Sequence, residues 1–401
     1  MNHGPTAQVP RPTRFAVSSF RRMALIGAAV LLAGAAPALG QVILSANGQT
    51  PAYTLIKNAL HASPETPDCS HPSFGPHITQ VVSRDLKKYV FDFNIHVTPD
   101  NDRCKKFDRQ RLEIKTEGNS STPDYLKGFY GDTVTFRWKF QLPRGFQPSS
   151  SFTHIHQIKA YDGDAGAPII TLTPRKGAPN MLQLIHVNSH AVTTHLTETP
   201  LDPFVGVWVE AYEKITYGSA GQYSIVIRKL DDGFVLFSYS NSNLDLWRNG
   251  TTVVRPKWGI YRSLNHPEQL RDEQVLFDRF CLAKGADDCV SGQTLPDFRL
   301  NATPRIPAVV QGAIASYDVD LASIRGFSDD VALSVASDLP ADAIATFTPS
   351  TIVAGSGSGA LTVSTSDTTP PGNYSLVVSG ISGVLSHVFI VPLKVRAAPG
   401  R

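Results

Sequence analysis

The chain has 401 residues, with 37 lysines and arginines against 34 aspartates and glutamates. This length permits more than one domain, each with a sizeable core. The first 40 residues contain four arginines and no acidic residue, so the remainder carries a formal charge of 33 − 34 = −1. A chain with this balance is not expected to bind nucleic acid through its net charge.

The first 40 residues have the pattern of a signal peptide. Arg14, Arg21 and Arg22 precede an apolar run over 23–38, and small residues at 36–40 offer a cleavage point before about Gln41. No later apolar run is long enough to span a bilayer. We therefore expect a secreted monomer, extracellular or periplasmic, that does not insert into a membrane.

Four cysteines in an exported chain predict two disulfides. The expected pairs are local in sequence: Cys69 with Cys104, and Cys281 with Cys289. A zinc site is the alternative reading of four cysteines, but the sequence has no close Cys-x-x-Cys pairs.

From residue 52 onward, apolar and polar residues alternate with a period of two. The clearest examples are the stretches 89–97, 133–142, 207–214 and 222–228, and only 53–61 and 264–270 look briefly helical. Strands with one apolar and one polar face, separated by turn residues, indicate two antiparallel sheets packed face to face. Residues 41–298 are therefore predicted to form an all-β sandwich of the concanavalin-like jelly-roll type.

The composition changes after Pro296. Residues 299–401 contain no cysteine or tryptophan, and short strand-like runs such as 360–364 and 374–378 alternate with turns. This length and pattern match a small Ig-like β-sandwich, and the segment resembles the Ig-like modules appended to many exported bacterial enzymes. Nothing in it indicates chemistry.

Three stretches of the first domain place polar groups on a single predicted strand face. In 152–160, His154 and His156 stand two residues apart and are expected to project from the same face. In 109–115 the shared face carries Arg109, Arg111, Glu113 and Lys115. In 255–262 it carries Arg255, Lys257, Gly259 and Tyr261, whereas Trp258 and Ile260 point the other way.

Each stretch has an ordinary structural explanation, since such faces are commonly solvated and paired across strands. Together, however, they supply the groups that β-elimination from a uronic-acid polysaccharide requires. Arginine with histidine or glutamine neutralises the C6 carboxylate, and tyrosine or histidine transfers the protons. Lysines and arginines would hold the anionic polymer.

The three stretches resemble the jelly-roll polysaccharide lyases, the group of alginate lyases, glucuronan lyases and heparin lyase I. Arg111-Leu-Glu-Ile-Lys115 is similar to their Arg-x-Glu-Leu-Arg strand, His154-Ile-His156 to their Gln-Ile-His strand, and Lys257-Trp-Gly-Ile-Tyr261 to their Lys-x-Gly-x-Tyr strand. The resemblance implies a polysaccharide lyase, and we expect no cofactor or catalytic metal. It implies that His156 and Tyr261 transfer protons, and that Arg111 and His154 contact the carboxylate. The remaining predicted binding residues are Arg109, Glu113, Lys115, Gln157, Arg255 and Lys257.

Two departures from the family pattern affect these expectations. His154 replaces a glutamine, and a histidine there neutralises best when protonated, which favours mildly acidic conditions. Lys115 replaces an arginine and offers a point charge instead of a planar fork. Gln157 could contact the carboxylate after a one-residue slip of the strand, but a slip would reverse the faces, so we expect His154 and His156 to share one.

Other functions stay open at this stage. A glycoside hydrolase would need two carboxylates, for which Glu113 and Glu210 are candidates. A non-catalytic carbohydrate-binding protein could use Trp208, Trp247 or Trp258. Acidic turns such as Asp162-Gly-Asp164 sometimes hold a structural Ca²⁺, although plain turn residues are the commoner explanation.

Overall fold

A computed structural model describes residues 1, 40–285, 289 and 296–398. The predicted signal segment therefore lies almost wholly outside the described residues. Nearly all the regular elements of the described chain are strands, as the alternation predicts. The helix α1 (Ala52–Leu60) falls where the sequence looks helical, and it buries Ala52, Ile56 and Leu60 at intervals of four.

Strands are numbered in chain order, and those before residue 285 form two antiparallel sheets. In spatial order, the eight-stranded sheet of the described chain contains β12 (Val235–Leu244), β11 (Gly221–Lys229), β10 (Val209–Thr216), β5 (Thr133–Gln141), β14 (Glu273–Lys284), β3 (Lys88–Ile95) and β2 (Ile78–Ser83), with β1 (Gln41–Leu44) paired to β14. The six-stranded sheet contains β4 (Arg109–Lys115), β13 (Val254–Ser263), β6 (Thr153–Ala160), β7 (Ile170–Arg175), β8 (Met181–Val187) and β9 (Thr193–Pro200). Single 3₁₀ turns lie at Asp124–Leu126, Asp202–Phe204 and Pro267–Gln269.

The core lies between these sheets and fixes which face of each sheet is inward. Trp138 of β5 and Trp258 of β13 are fully buried, and their ring centroids are 5.9 Å apart. Leu112 and Ile114 of β4 belong to the same core. Burying a large apolar side chain contributes about 1.5–3 kcal/mol, so reversing a strand would be costly. The polar residues at the odd positions of 109–115 and 255–261 must therefore face away from the core, as predicted, whereas Gln110 and Arg262 are buried on the inner side and bonded to each other. This is the jelly-roll type of β-sandwich.

The strands after residue 296 form a second pair of sheets. One contains β15 (Asp297–Ile306), β17 (Ile314–Ile324), β21 (Gly357–Ser364) and β19 (Ile344–Thr348); the other contains β16 (Ala308–Val310), β23 (Leu385–Arg396), β22 (Gly372–Ser382), β18 (Val331–Ser337) and β20 (Thr351–Ile352). They enclose a separate core. The backbone N–H of Val388 donates to the carbonyl of Lys87 over 2.7 Å, so the two strand sets touch. The division into two domains and the Ig-like character of the second set stay predictions.

Both predicted disulfides are confirmed, joining Cys69 to Cys104 and Cys281 to Cys289. The first connects the segment after α1 to the loop that precedes β4. Among the described residues, no helix combines the length and apolar character needed to cross a membrane.

Candidate active site

The pairing of β6 with β13 contains a register shift that decides where the predicted histidines point. His156 pairs with Trp258, but His154 pairs with Tyr261, so two residue steps on β6 oppose three on β13. Residues opposite each other project from the same face of a sheet. His156 therefore joins Trp258 in the core, whereas His154 joins Tyr261 on the open face.

The prediction that His154 and His156 share a face is wrong, and the bulge is the physical reason. Ile155 and His156 both point inward, and Gln157 pairs with Lys257 on the open face. The expectation that His154 and Gln157 exclude each other is therefore also wrong. Alternation within a strand holds only while its ladder is regular.

His156 is a buried structural residue. Its Nε2 lies 2.8 Å from Glu213 Oε2, and its Nδ1 lies 2.9 Å from the carbonyl oxygen of Lys257. The ring centroid of Trp138 is 4.5 Å away. Glu213 also accepts a hydrogen bond of 2.7 Å from the Tyr223 hydroxyl. With both ring nitrogens occupied and the side chain inside the sandwich, His156 has no path to a polymer on the open face.

On the open face, a cluster of buried charges forms the floor of the site. Arg111 Nη1 lies 2.5 Å from Glu113 Oε2, and Lys257 Nζ lies 3.2 Å from the same oxygen. Glu65 joins the cluster from outside the sheet because its main chain pairs with that of Glu113, and its carboxylate contacts Lys257. The amide of Gln157 donates to Glu113 Oε1. Salt bridges therefore hold these side chains in place.

The two carboxylates of this floor are ionised. Burial alone would raise the pKa of Glu113, but Lys257 and Arg111 outweigh it and lower that pKa below its ordinary value. The same balance holds for Glu65, whose pKa is lowered well below its ordinary value by Lys257, Arg111 and Lys115. Neither group is suited to donating a proton near neutral pH.

Tyr261 stands at the edge of this floor with cations on two sides. Arg109 Nη1 donates a hydrogen bond of 2.9 Å to its hydroxyl oxygen, and Arg111 Cζ lies 3.6 Å from its ring centroid. The ring of His154 is 5.9 Å from that of Tyr261, and Phe152 packs against both at 5.1 Å. Tyr261, His154 and Arg109 are half-buried, so the group is open to solvent on one side.

His154 is held as a neutral imidazole. Burial, together with Arg175 and Arg111, lowers its pKa to about 3. Its Nδ1 lies 2.8 Å from Thr173 Oγ1, and the Thr173 hydroxyl donates to Thr171 Oγ1 over 3.0 Å. Because the Thr173 hydroxyl donates to Thr171, it must accept from His154, so the ring proton lies on Nδ1. The lone pair of Nε2 is then free for a ligand. The expected need for a protonated His154, and with it the preference for mildly acidic conditions, does not follow.

Further cations line the same face. Lys115 and Arg255 contact Glu117 at 2.7 and 2.8 Å. Lys159 of β6 has no carboxylate partner among the described residues, and its Nζ lies 3.1 Å from the Gly166 carbonyl oxygen. Burial, Lys257 and Arg111 lower the pKa of Lys159 to about 8. Arg175 of β7 points the same way and donates to Gln183.

The structure separates the residues proposed for the alternative functions. Glu210 lies on the outer face of the eight-stranded sheet, 3.2 Å from Arg137, so the predicted carboxylate pair of Glu113 and Glu210 spans opposite sides of the sandwich. Trp258 and Trp208 are buried, and Trp247 packs against Tyr130 at 5.4 Å. Trp208 and Trp258 therefore offer no stacking platform, and Trp247 is half-buried.

The acidic turn after β6 is engaged by protein groups. Thr251 Oγ1 donates to Asp162 over 2.9 Å, and Asp164 pairs with Arg248 at 2.7 Å. Neither carboxylate is without a protein partner.

Two sizeable cavities within the described residues lie away from the open face. One of about 760 Å³ lies between β2 and the later strands, beside Tyr89, Val377 and Ile390. Another of about 740 Å³ lies on the outer face of the eight-stranded sheet, beside Arg137 and Tyr212. The first contains no predicted site residue, and the second contains only Glu210, the candidate carboxylate of the hydrolase alternative.

No family model matches the chain, and no curated protein matches it at a significant level. Solved structures of alginate lyases are similar to part of it. An alginate lyase of Pseudomonas aeruginosa is 14% identical, with 51% of this chain and 86% of that chain covered and a TM-score of 0.35. A family 7 alginate lyase bound to its product is 13% identical, covering 55% and 94%, with a TM-score of 0.37. A Chlorella virus alginate lyase is 12% identical, covering 56% and 99%, with a TM-score of 0.35. Similarity at this level assigns no activity to the chain.

Proposed function

We propose that the chain is a secreted polysaccharide lyase that cleaves a uronic-acid polymer by β-elimination on the open face of the six-stranded sheet. The observation that supports this most strongly is the set of contacts at Tyr261. Its hydroxyl accepts from Arg109, its ring covers Arg111, and a neutral imidazole stands beside it. A phenol and an imidazole within one substrate's reach supply the two proton transfers of the reaction.

The charge balance of the floor favours an anionic ligand. Among the described residues, the connected cluster contains five cations and four carboxylates: Arg103, Arg111, Lys115, Lys257 and Arg255 with Glu65, Asp102, Glu113 and Glu117. The difference of 5 − 4 leaves one positive charge, which a uronate carboxylate would neutralise. Lys159 and Arg175 add further positive charge for neighbouring sugars.

Arg111 is the group best placed to meet the carboxylate. Its Nε and Nη1 bind Asp102 and Glu113, whereas no partner of Nη2 is found within the described residues. A guanidinium whose other nitrogens are fixed binds a ligand at low entropic cost. Binding the carboxylate at Nη2 stabilises the negative charge that develops when C5 loses its proton.

The positions of the His154 imidazole and the Tyr261 phenol suggest how the two protons are transferred. His154 Nε2 accepts the C5 proton as the C5–H bond breaks. The electron pair forms the C4–C5 double bond, the C4–O bond breaks, and the Tyr261 hydroxyl gives its proton to the departing oxygen. Arg109 then stabilises the phenolate until the proton returns from His154 through solvent. The sequence resemblance implied that His156 transfers a proton, without fixing whether it is the acid or the base, and we transfer that role to His154 because His156 lies in the core.

The ionised floor disfavours the hydrolase alternative. Both mechanisms of glycoside hydrolysis need a carboxylic acid that donates a proton, which requires a raised pKa. The pKa values of Glu65 and Glu113 are both lowered, and both carboxylates are held by cations. Glu210 lies on the other sheet.

The support for secretion is the pair of disulfides together with the signal pattern of the first 40 residues, because disulfides persist in oxidising compartments.

A panel of uronate polymers, followed by ultraviolet absorbance and by reducing-end release, tests the proposal. Elimination creates a conjugated C4–C5 double bond for each new reducing end, and we expect the two signals to rise together on at least one polymer. Reducing ends without absorbance would establish hydrolysis. Binding without either signal on every polymer would make the chain a carbohydrate-binding protein.

A further inference from the structure

Three imidazoles and one carboxylate converge beside the end of β3, outside the site described above. They belong to His71, His77, His96 and Asp100, and one ligand atom from each lies within 4.8 Å of all the others. His71 and His77 precede β2, whereas His96 and Asp100 follow β3. Two chain segments therefore meet here through four metal-ligating side chains.

The distances around Asp100 are close to those of a metal coordination shell. His71 Nδ1 and His77 Nε2 each lie 3.1 Å from Asp100 Oδ1, and His96 Nδ1 lies 3.0 Å from Oδ2. A tetrahedral Zn²⁺ with bonds of about 2.0–2.1 Å places its ligand atoms about 3.3 Å apart. Small side-chain rotations would therefore bring the four ligands onto one ion.

A second layer of hydrogen bonds orients the ligands. Asp68 Oδ1 lies 2.8 Å from His77 Nδ1, and the Tyr53 hydroxyl donates to Asp68 Oδ2 over 2.8 Å. This carboxylate–histidine arrangement fixes the ring so that Nε2 faces the cluster, as is usual for zinc-bound histidines. Gln110 Nε2 donates to the Asp100 carbonyl over 3.1 Å and supports the turn that carries the carboxylate.

The surroundings of the cluster favour a closed site. The ring centroid of Phe74 is 5.4, 4.8 and 4.3 Å from those of His71, His77 and His96 and covers the cluster on one side. The Cys69–Cys104 disulfide joins the two segments next to it. Three imidazoles with one carboxylate suit zinc, whereas calcium and magnesium take oxygen ligands.

We propose that His71, His77, His96 and Asp100 form a structural Zn²⁺ site. Four protein ligands leave no open position, which is typical of structural zinc. The ion would join the segment that carries Glu65 to the loop that carries Asp102, and these two carboxylates hold Arg111 and Lys257. It would thus stabilise one wall of the open-face site without taking part in chemistry.

Metal content of the purified full chain, before and after exchange with excess Zn²⁺, tests this proposal without any activity assay. We expect about one bound zinc per chain. Co²⁺ in its place should give the intense visible absorption of a tetrahedral site. His71→Ala should weaken zinc binding about tenfold or more. His190→Ala removes an exposed histidine and should leave it unchanged.

The opposing explanation is a metal-free network in which protons on the imidazoles satisfy Asp100. It predicts no stoichiometric zinc, no tetrahedral Co²⁺ spectrum and no rise in Tm when zinc is added, and this result would overturn the proposal. Equal loss of zinc from His71→Ala and His190→Ala would also overturn it. If His71→Ala does not fold, the Co²⁺ spectrum of the unaltered chain decides. These outcomes are independent of whether the chain is a lyase.

Discussion

His156 and Trp258 are paired across β6 and β13, and both point into the core of the sandwich. Three residues later on β13, Tyr261 is paired with His154, and both lie on the open face. One irregularity in the ladder thus gives two neighbouring histidines different functions. His156 supports the fold, and His154 faces the proposed substrate.

Replacing Tyr261 with phenylalanine is expected to abolish turnover, because the hydroxyl that protonates the leaving oxygen is lost while the ring remains over Arg111. Polymer affinity should change by less than about threefold, since the cations of the face are retained. Absorbance assays and calorimetric titration measure the two quantities. Tyr130→Phe, which alters an exposed tyrosine elsewhere, is the control. Turnover of Tyr261→Phe near the unaltered rate would exclude the proposed proton donor.

Removing the His156 side chain is expected to affect stability, not chemistry. His156→Ala leaves a buried Glu213 oxygen without its imidazole partner, which costs about 1–3 kcal/mol, and it also removes the packing of the ring against Trp138 and Trp258. His154→Ala, on the half-buried open side, should cost much less stability but lose turnover. Urea unfolding of the two variants measures the difference. If His156→Ala were as stable as the unaltered chain but inactive, the roles would be reversed.

The regular strands of the site could be predicted from the sequence, whereas the irregular parts could not. β4 pairs with β13 without a shift, so alternation correctly places Arg109, Arg111, Glu113 and Lys115 together. The faces of β6 depend on how it pairs with β13, about 100 residues later in the chain, and no local pattern encodes that register.

Loop residues are the second part that sequence reasoning missed. Glu65, Asp102 and Arg103 enter the site from irregular segments, and their role follows from the tertiary structure alone. The four residues of the proposed zinc site are likewise spread over 71–100 without a compact motif. Cys69 and Cys104, which flank them, were the one local signal that these segments meet.

The low pKa of His154 predicts how its imidazole titrates. Because the folded protein lowers that pKa from 6.5 to about 3, His154 stays neutral as the pH falls through 6.5. Between these values the unfolded state binds more protons than the folded state, so this group reduces folding stability as the pH falls. NMR titration of the histidine ring signals, with His154→Gln for assignment, measures the value. A His154 midpoint near 6.5 would show that the folded protein does not lower the pKa of this imidazole.

Gly259 is expected to be essential for the register shift itself. Its φ of +146° is unfavourable for other residues, and an added Cβ would overlap the carbonyl oxygen of Leu112 on β4. Gly259→Ala should therefore push β4 away from β13. The unfolding free energy should fall by more than the roughly 1–2 kcal/mol that backbone strain alone would cost. Turnover should also fall, because Tyr261 would be displaced from Arg111. Gly357→Ala is the matched control, because Gly357 has a similar φ (+153°) but an added Cβ there would meet only the Ile352 side chain, at 3.1 Å, and no backbone atom. Unfolding and turnover measured on both variants separate the two causes. Equal losses would mean that strain alone matters and that the close contact with Leu112 does not hold the bulge in place.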